Sequence, residues 1–166
     1  MQWGAEPNNV IGMDVLPGRL GDAKRLCAPG VRLYCGDGGT LALRGGWFDL
    51  VLQVTMFTSI LDADLRRRVA SEMLRVIKPQ GLILWYDFHV QSPRNASVRA
   101  VRKQEIHNLF PDCAITLRRV TLAPPLARLL APRSLLLCQL LERIPPLRTH
   151  YLGIIRKSQG GAGLSR

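Results

Sequence analysis

Apolar residues recur along this chain in short dense runs that alternate with longer stretches of helical period. Residues 10–13 form a brief apolar run ending at Asp14, the pattern of a buried strand. Pro17 opens a helix, where its missing N–H costs nothing, and Pro29-Gly30 closes it after Leu20, Ala23 and Leu26-Cys27. Val31, Leu33 and Cys35 alternate and point a second strand at Asp37. Gly45-Gly46 makes a turn. Residues 48–54 are apolar except for Asp49 and Gln53, as expected of a strand covered on both faces. The clearest helix follows over 64–77, with Leu65, Val69, Met73 and Ile77 one turn apart and Ala70 and Leu74 beside them. Arg66, Arg67, Glu72 and Arg75 fall off that stripe; Asp62 or Asp64 can cap its start, and Pro79 and Gly81 stop it. Residues 82–85 read as another buried strand running to Asp87. A polar turn, Ser92-Pro93-Arg94-Asn95, leads to a helical stretch over 98–109, broken near Lys103. Strands are expected at 114–122 and 150–156.

Strand, helix and strand over 48–87 make one parallel crossover. In an open α/β sheet ligands bind outside the carboxyl ends of the strands, so Gln53 and Asp87 mark a site edge. Between the last two strands, residues 123–146 form an Arg/Leu-rich insertion bounded by Pro124-Pro125 and Pro145-Pro146. Its longest uncharged stretch, 134–141, is far short of the roughly 20 residues that span a bilayer. Residues 1–157 read as a single domain and 158–166 as a flexible Gly-rich tail.

The charge balance changes this picture little. A net charge of +11 admits nucleic acid or an anionic membrane as partner. The arginines are scattered, however, and the triplet Arg66-Arg67-Arg68 lies on a helix, where it reads as a solvated face; no nucleic-acid partner is expected. Cys27, Cys35, Cys113 and Cys138 show no C-x-x-C spacing, so no metal site is expected and they read as core residues of a reduced, cytoplasmic protein. The N-terminal residues carry no apolar run of a signal peptide.

FDLVLQ (48–53) followed by EMLRVIKPQGLILWYDF (72–88) resembles the fourth and fifth strands of the class I S-adenosylmethionine-dependent methyltransferases, of the type 11 kind. VIGMDVLPGRLGDAKRL (10–26) resembles that family's second strand with its acidic end, and VRLYCGDGGTLAL (31–43) its third strand and following loop. The resemblance covers roughly 1–120. It implies a Rossmann-like α/β sheet, mostly parallel, with a C-terminal antiparallel hairpin. It also exposes a difference: no G-x-G-x-G loop precedes Asp14, so the chain resembles an N-terminally truncated member lacking the first strand and the Gly-rich loop, with methyl transfer impaired.

The resemblance implies S-adenosylmethionine as cofactor. Asp14 would accept from the ribose hydroxyls, although it also suits capping of the helix that begins at Pro17. Gly36, Asp37 and Gly38 would meet the adenine, although Asp-Gly is also an ordinary turn. Gln53 and Thr55 would border cofactor and acceptor. Tyr86, Asn95 and Arg99 would face a small-molecule or sugar-like acceptor. Asp87 and His89 are the candidate catalytic groups, Asp87 orienting a hydroxyl and His89 acting as a base near neutral pH. The insertion 123–146 is expected to cover the acceptor side; the alternative is a peripheral contact with a membrane surface. The rival readings are a non-catalytic remnant and a Rossmann-type nicotinamide oxidoreductase, which shares the strand-end carboxylate but needs a phosphate-binding loop before Asp14.

Overall fold

In the computed structural model, residues 4–91 and 95–158 are described; the polar turn expected at 92–95 and the tail expected over 158–166 fall largely outside them, as do residues 1–3. The chain divides into two compact units, 1–43 and 44–166.

In the first unit, β1 (Ile11–Asp14) and β2 (Arg32–Cys35) pair in parallel, joined by α1 (Pro17–Leu26). Asp14 stands level with Cys35. Pro17 takes the first helical position, as its fixed φ and missing N–H favour. Gly30 adopts a φ of +97°, which a side chain would resist.

The second unit is a four-stranded sheet in the order β3-β4-β6-β5: β3 (Phe48–Val54), β4 (Ile77–Phe88), β6 (Arg148–Lys157) and β5 (Cys113–Leu122). The β3/β4 pair is parallel, while β6 runs antiparallel to both β4 and β5. The α/β sheet with a C-terminal antiparallel hairpin is thus present. The crossover helix α2 (Ala63–Val76) starts where the Asp62 carboxylate accepts from the Asp64 N–H at 2.8 Å. It buries Val69, Ala70 and Met73 in one core with Ile83 and Trp85 of β4. α3 (Lys103–Leu109) adds Ile106 to the same core, and the Trp85 ring is flanked by Phe57 at 4.6 Å and Phe110 at 6.1 Å.

Several sequence expectations are corrected. The helix expected over 98–109 begins only at Lys103, because 98–102 spends its backbone on neighbours: Arg99 N–H donates to the Thr58 carbonyl and Val101 N–H to the Phe88 carbonyl. Pro79 and Gly81, expected to separate the helix from a strand over 82–85, instead lie inside β4, which begins at Ile77, with Pro79 accommodated where the register slips between Phe48 and Leu50. Strand β3 is covered on one face only: Leu50, Leu52 and Val54 are 51%, 59% and 53% exposed, because α2 and α3 pack on the other face of the sheet. Finally, Arg66 lies inside, 1% exposed, while Arg67 and Arg68 are solvated. Its guanidinium reaches the Ile60 carbonyl (2.6 Å), the Arg99 carbonyl (3.0 Å) and the Glu105 carboxylate (2.5 Å).

The insertion forms two short helices, α4 (Pro124–Leu130) and α5 (Leu135–Glu142), neither of which buries a residue fully. Among the described residues no helix is long and apolar enough to cross a membrane. The four cysteines are free thiols; Cys27 and Cys35 are exposed rather than in the core.

Candidate functional site

In the first unit, Asp14 and Asp37 both lie at the carboxyl end of the two-stranded parallel sheet, where β1 and β2 release the chain. Asp14 Oδ1 accepts from the Leu16 N–H (2.8 Å), which shapes the turn into α1, and its Oδ2 lies 3.8 Å from the Arg19 guanidinium. Asp37 Oδ1 accepts from the Gly39 N–H (2.8 Å) and its carbonyl from the Thr40 N–H (3.1 Å). The Gly36 N–H donates to the Asp14 carbonyl (3.2 Å), so the two acidic turns are tied together. Each carboxylate performs its local turn role with Oδ1, and among the described residues Oδ2 makes no hydrogen bond. Gly38 follows in the same turn. Two carboxylates with spare acceptor capacity, one half-buried and one exposed, suit a ligand rich in hydroxyl and amino donors.

In the second unit the carboxyl ends of β3 and β4 carry a buried polar network. Asp87 is fully buried. Its Oδ2 accepts from Gln53 Nε2 (2.6 Å) and the Thr58 N–H (3.3 Å), and its Oδ1 from the Phe88 N–H (2.9 Å) and the Thr58 hydroxyl. Gln53 is spent on the same network, its Oε1 accepting from the Tyr86 N–H at 3.2 Å. Burial pushes the Asp87 carboxyl up from its ordinary value, and the bonds from Phe88, Gln53 and Thr58 pull the other way. With both oxygens occupied, Asp87 fixes the loop at Phe57–Ser59 rather than offering a free lone pair.

Tyr86 links two strained residues. Thr55 has a φ of +51° and donates its N–H to the Tyr86 carbonyl (2.7 Å); Thr121 has a φ of +65° and its hydroxyl lies 2.8 Å from the Tyr86 hydroxyl. Positive φ is a genuine outlier for a β-branched residue, costing on the order of 1–3 kcal/mol, and such strain gathers at functional sites. Next along, His89 stacks on Tyr151 (4.3 Å) and His150 stacks on Tyr86 (4.6 Å). His89 Nε2 is buried with no hydrogen-bond partner; among the described residues Trp85 Nε1 is the other such atom. Burial first, and the Arg119 charge second, hold the His89 pKa below its ordinary value. Burial, with the neighbouring His89, takes His150 down to about 4. Both rings are therefore neutral at pH 7.

Among the residues singled out by sequence, Gln53, Thr55, Tyr86 and Asp87 are joined by direct hydrogen bonds, and Asp14, Gly36, Asp37 and Gly38 share one end of β1/β2. Arg99 is paired with Glu105 at 2.7 Å, and Asn95 shapes its own turn by accepting from the Ser97 N–H at 3.0 Å. Sequence reasoning missed Thr58, Thr121 and His150. Thr58 sits in a single 3-10 turn with no periodic signal, Thr121 is the next-to-last residue of β5, and His150 is the buried partner of Phe88 across β4/β6. No group of three or more His, Cys, Asp or Glu side chains among the described residues is arranged to hold a metal ion.

Residues 2–81 match the model of a methyltransferase domain family. No curated protein matches the sequence significantly. Solved structures align over most of the chain. A Pyrococcus horikoshii protein is 15% identical with a TM-score of 0.63, covering 95% of this chain and 74% of its own. A SAM-dependent methyltransferase from Archaeoglobus fulgidus is 13% identical with a TM-score of 0.62, covering 89% and 75%. An S-adenosylmethionine-dependent methyltransferase from Mesorhizobium loti is 15% identical with a TM-score of 0.59, covering 89% and 80%. At such identities the likeness is one of fold.

Proposed function

We infer that this chain is a class I S-adenosylmethionine-dependent methyltransferase, a reading supported by its matched segment and its fold, and that it methylates a small, hydroxyl-bearing acceptor such as a sugar-like molecule. The observation that carries the reading is the Asp14/Asp37 pair at the carboxyl ends of adjacent parallel strands, each with an oxygen left to accept from a ligand. Those residues fit a nucleoside: Asp14 takes ribose hydroxyls, Asp37 an exocyclic amine, and Gly36 and Gly38 leave room for the base. S-adenosylmethionine, when bound, supplies an electrophilic methyl group on sulfur.

The chain's own contribution is then mainly positioning. The Gln53–Asp87–Thr58 network holds the ends of β3 and β4 rigid. Tyr86, held between Thr55 and Thr121, presents a fixed aromatic wall. His89 is neutral near pH 7, so a ring nitrogen remains able to take a proton from an acceptor hydroxyl.

Calorimetric titration of the purified chain with S-adenosylmethionine, followed by mass-spectrometric detection of methylated products from a panel of sugars and phenols, tests the reading. Saturable binding that Asp14→Ala weakens, with methylation of a hydroxyl acceptor, is the expected result. Binding indifferent to both Asp14→Ala and Asp37→Ala would overturn it.

A further inference from the structure

We propose that the α4–α5 hairpin is a docking surface for an anionic lipid bilayer. The hairpin leaves Leu135 and Leu136 68% and 66% exposed, Leu129 58%, Leu140 48%, Ile144 45% and Leu137 41%. Single exposed aliphatics are ordinary on a protein surface; a contiguous set within one short helical element marks an interaction site. The set is not random around α5. Cys138 and Glu142 turn toward β5, where Glu142 Oε1 accepts from the Thr121 N–H at 3.0 Å. Leu136, Leu137 and Leu140 lie on the opposite side, Leu136 and Leu140 being one turn apart.

Charge selects the occupant. Arg118 and Arg119 in the second half of β5, Arg128 and Arg133 in the hairpin, and Arg143 just after α5 are all exposed, and none is in an ion pair among the described residues. Arg118, Arg119 and Arg143 share the lining of one open cavity of about 570 Å³ beside α5. Glu142, the hairpin's acidic residue, is turned inward. Aliphatic side chains bordered by unpaired arginines on short helices are the composition of an interfacial element, which dips its apolar side into the headgroup region and meets lipid phosphates with its basic rim. A second copy of this chain would bring its own net charge of +11 against the same rim. A protein partner's anchor site is typically rich in tryptophan and tyrosine, and 123–146 contains neither.

The hairpin joins the carboxyl end of β5 to the start of β6, and His150 of β6 faces Phe88 at the carboxyl end of β4. The proposed membrane face therefore lies at the same end of this sheet as Tyr86 and His89. The proposal does not rest on the methyl-transfer reading.

The test is sedimentation of the full chain with vesicles of phosphatidylcholine alone and of phosphatidylcholine mixed with phosphatidylglycerol, at low and high salt. Pelleting with the anionic vesicles, reversed by salt, is expected. Leu136→Glu and Leu140→Glu should each lower partitioning by about ten-fold or more. Arg133→Glu and Arg143→Glu should each lower it by about five-fold or more. These side chains are exposed, so thermal melts matching the parent chain confirm that each variant is folded. Equal binding to neutral and anionic vesicles, no binding to either, or binding unchanged by the leucine substitutions in variants that melt normally would each overturn the proposal. So would sedimentation equilibrium showing a dimer, without lipid, that Leu136→Glu dissociates, because a second copy would then own the face.

Discussion

Arg66 and Glu105 should behave in the reverse of what their exposure suggests. Arg66 is 1% exposed and its guanidinium is shared among the Ile60 carbonyl, the Arg99 carbonyl and Glu105. Glu105 is 29% exposed and has a second cation, Arg99, at 2.7 Å. Replacing Arg66 by Met removes the buried charge altogether. Two carbonyls lose a donor, each costing about 1 kcal/mol because neither residue is fully buried, and Glu105 keeps Arg99, so its own loss is below about 1 kcal/mol. The total is about 2–3 kcal/mol. Replacing Glu105 by Gln preserves shape and an acceptor oxygen but leaves a buried guanidinium without its carboxylate. Stranded charges of that kind cost about 3–5 kcal/mol. The half-exposed residue should therefore be at least as sensitive as the buried one, and the Arg66→Met/Glu105→Gln double variant should be little worse than Arg66→Met alone. Urea unfolding followed by far-ultraviolet circular dichroism at neutral pH measures all three. A loss below about 1 kcal/mol for Glu105→Gln, or additive single losses in the double variant, would refute the reasoning.

Three further outcomes are expected. His150 is pulled from 6.5 to about 4 in the folded chain, so the unfolded chain takes up its proton first as pH falls; stability from this residue is intact above 6.5, declines between 6.5 and about 4, and that part of the slope disappears from pH-dependent melts of His150→Phe. Thr55→Gly should raise stability by about 0.5–1 kcal/mol by relieving a positive φ, read as an upward shift in Tm, whereas Thr121→Gly gains less because it also loses the Tyr86 hydroxyl contact. Asp14→Ala should weaken S-adenosylmethionine binding by about 1.5–3 kcal/mol in calorimetric titration, the range for a hydrogen bond to a charged group.

The crossover was legible because its signals are local: period in α2, an apolar run in β3, and a stop near Pro79. What escaped depends on residues distant in sequence. Arg66 looked solvated because nothing in Arg66-Arg67-Arg68 reveals that Ile60, Arg99 and Glu105 converge on the first of the three. Residues 98–102 scored as helix, but Thr58 and Phe88 offered carbonyls that an extended backbone could use. Strand β3 read as covered on both faces because apolar composition reports what a residue prefers, not whether a neighbour exists to meet it. At the candidate site, the strand-end residues Gln53 and Asp87 were readable from topology. Their mutual bond, the part of Thr58 in it and the strain at Thr121 near the end of β5 arise only when segments distant in sequence meet, and no periodicity encodes that.

Arg148 sets a limit on timing. Its guanidinium donates to the carbonyls of Glu142 (2.5 Å), Arg143 (3.3 Å) and Arg119 (3.2 Å), pinning the end of α5 to the neighbouring strand. Swinging the hairpin away would break the bonds to Glu142 and Arg143 and, with them, the bond from the Thr121 N–H to the Glu142 carboxylate. Even at about 1 kcal/mol each, the open form would hold only about one molecule in a hundred to two hundred. The hairpin is thus a standing wall rather than a gate: any ligand reaching the sheet end beneath it must enter past its flank, and arrival should be paced by diffusion rather than by a swing of α4–α5.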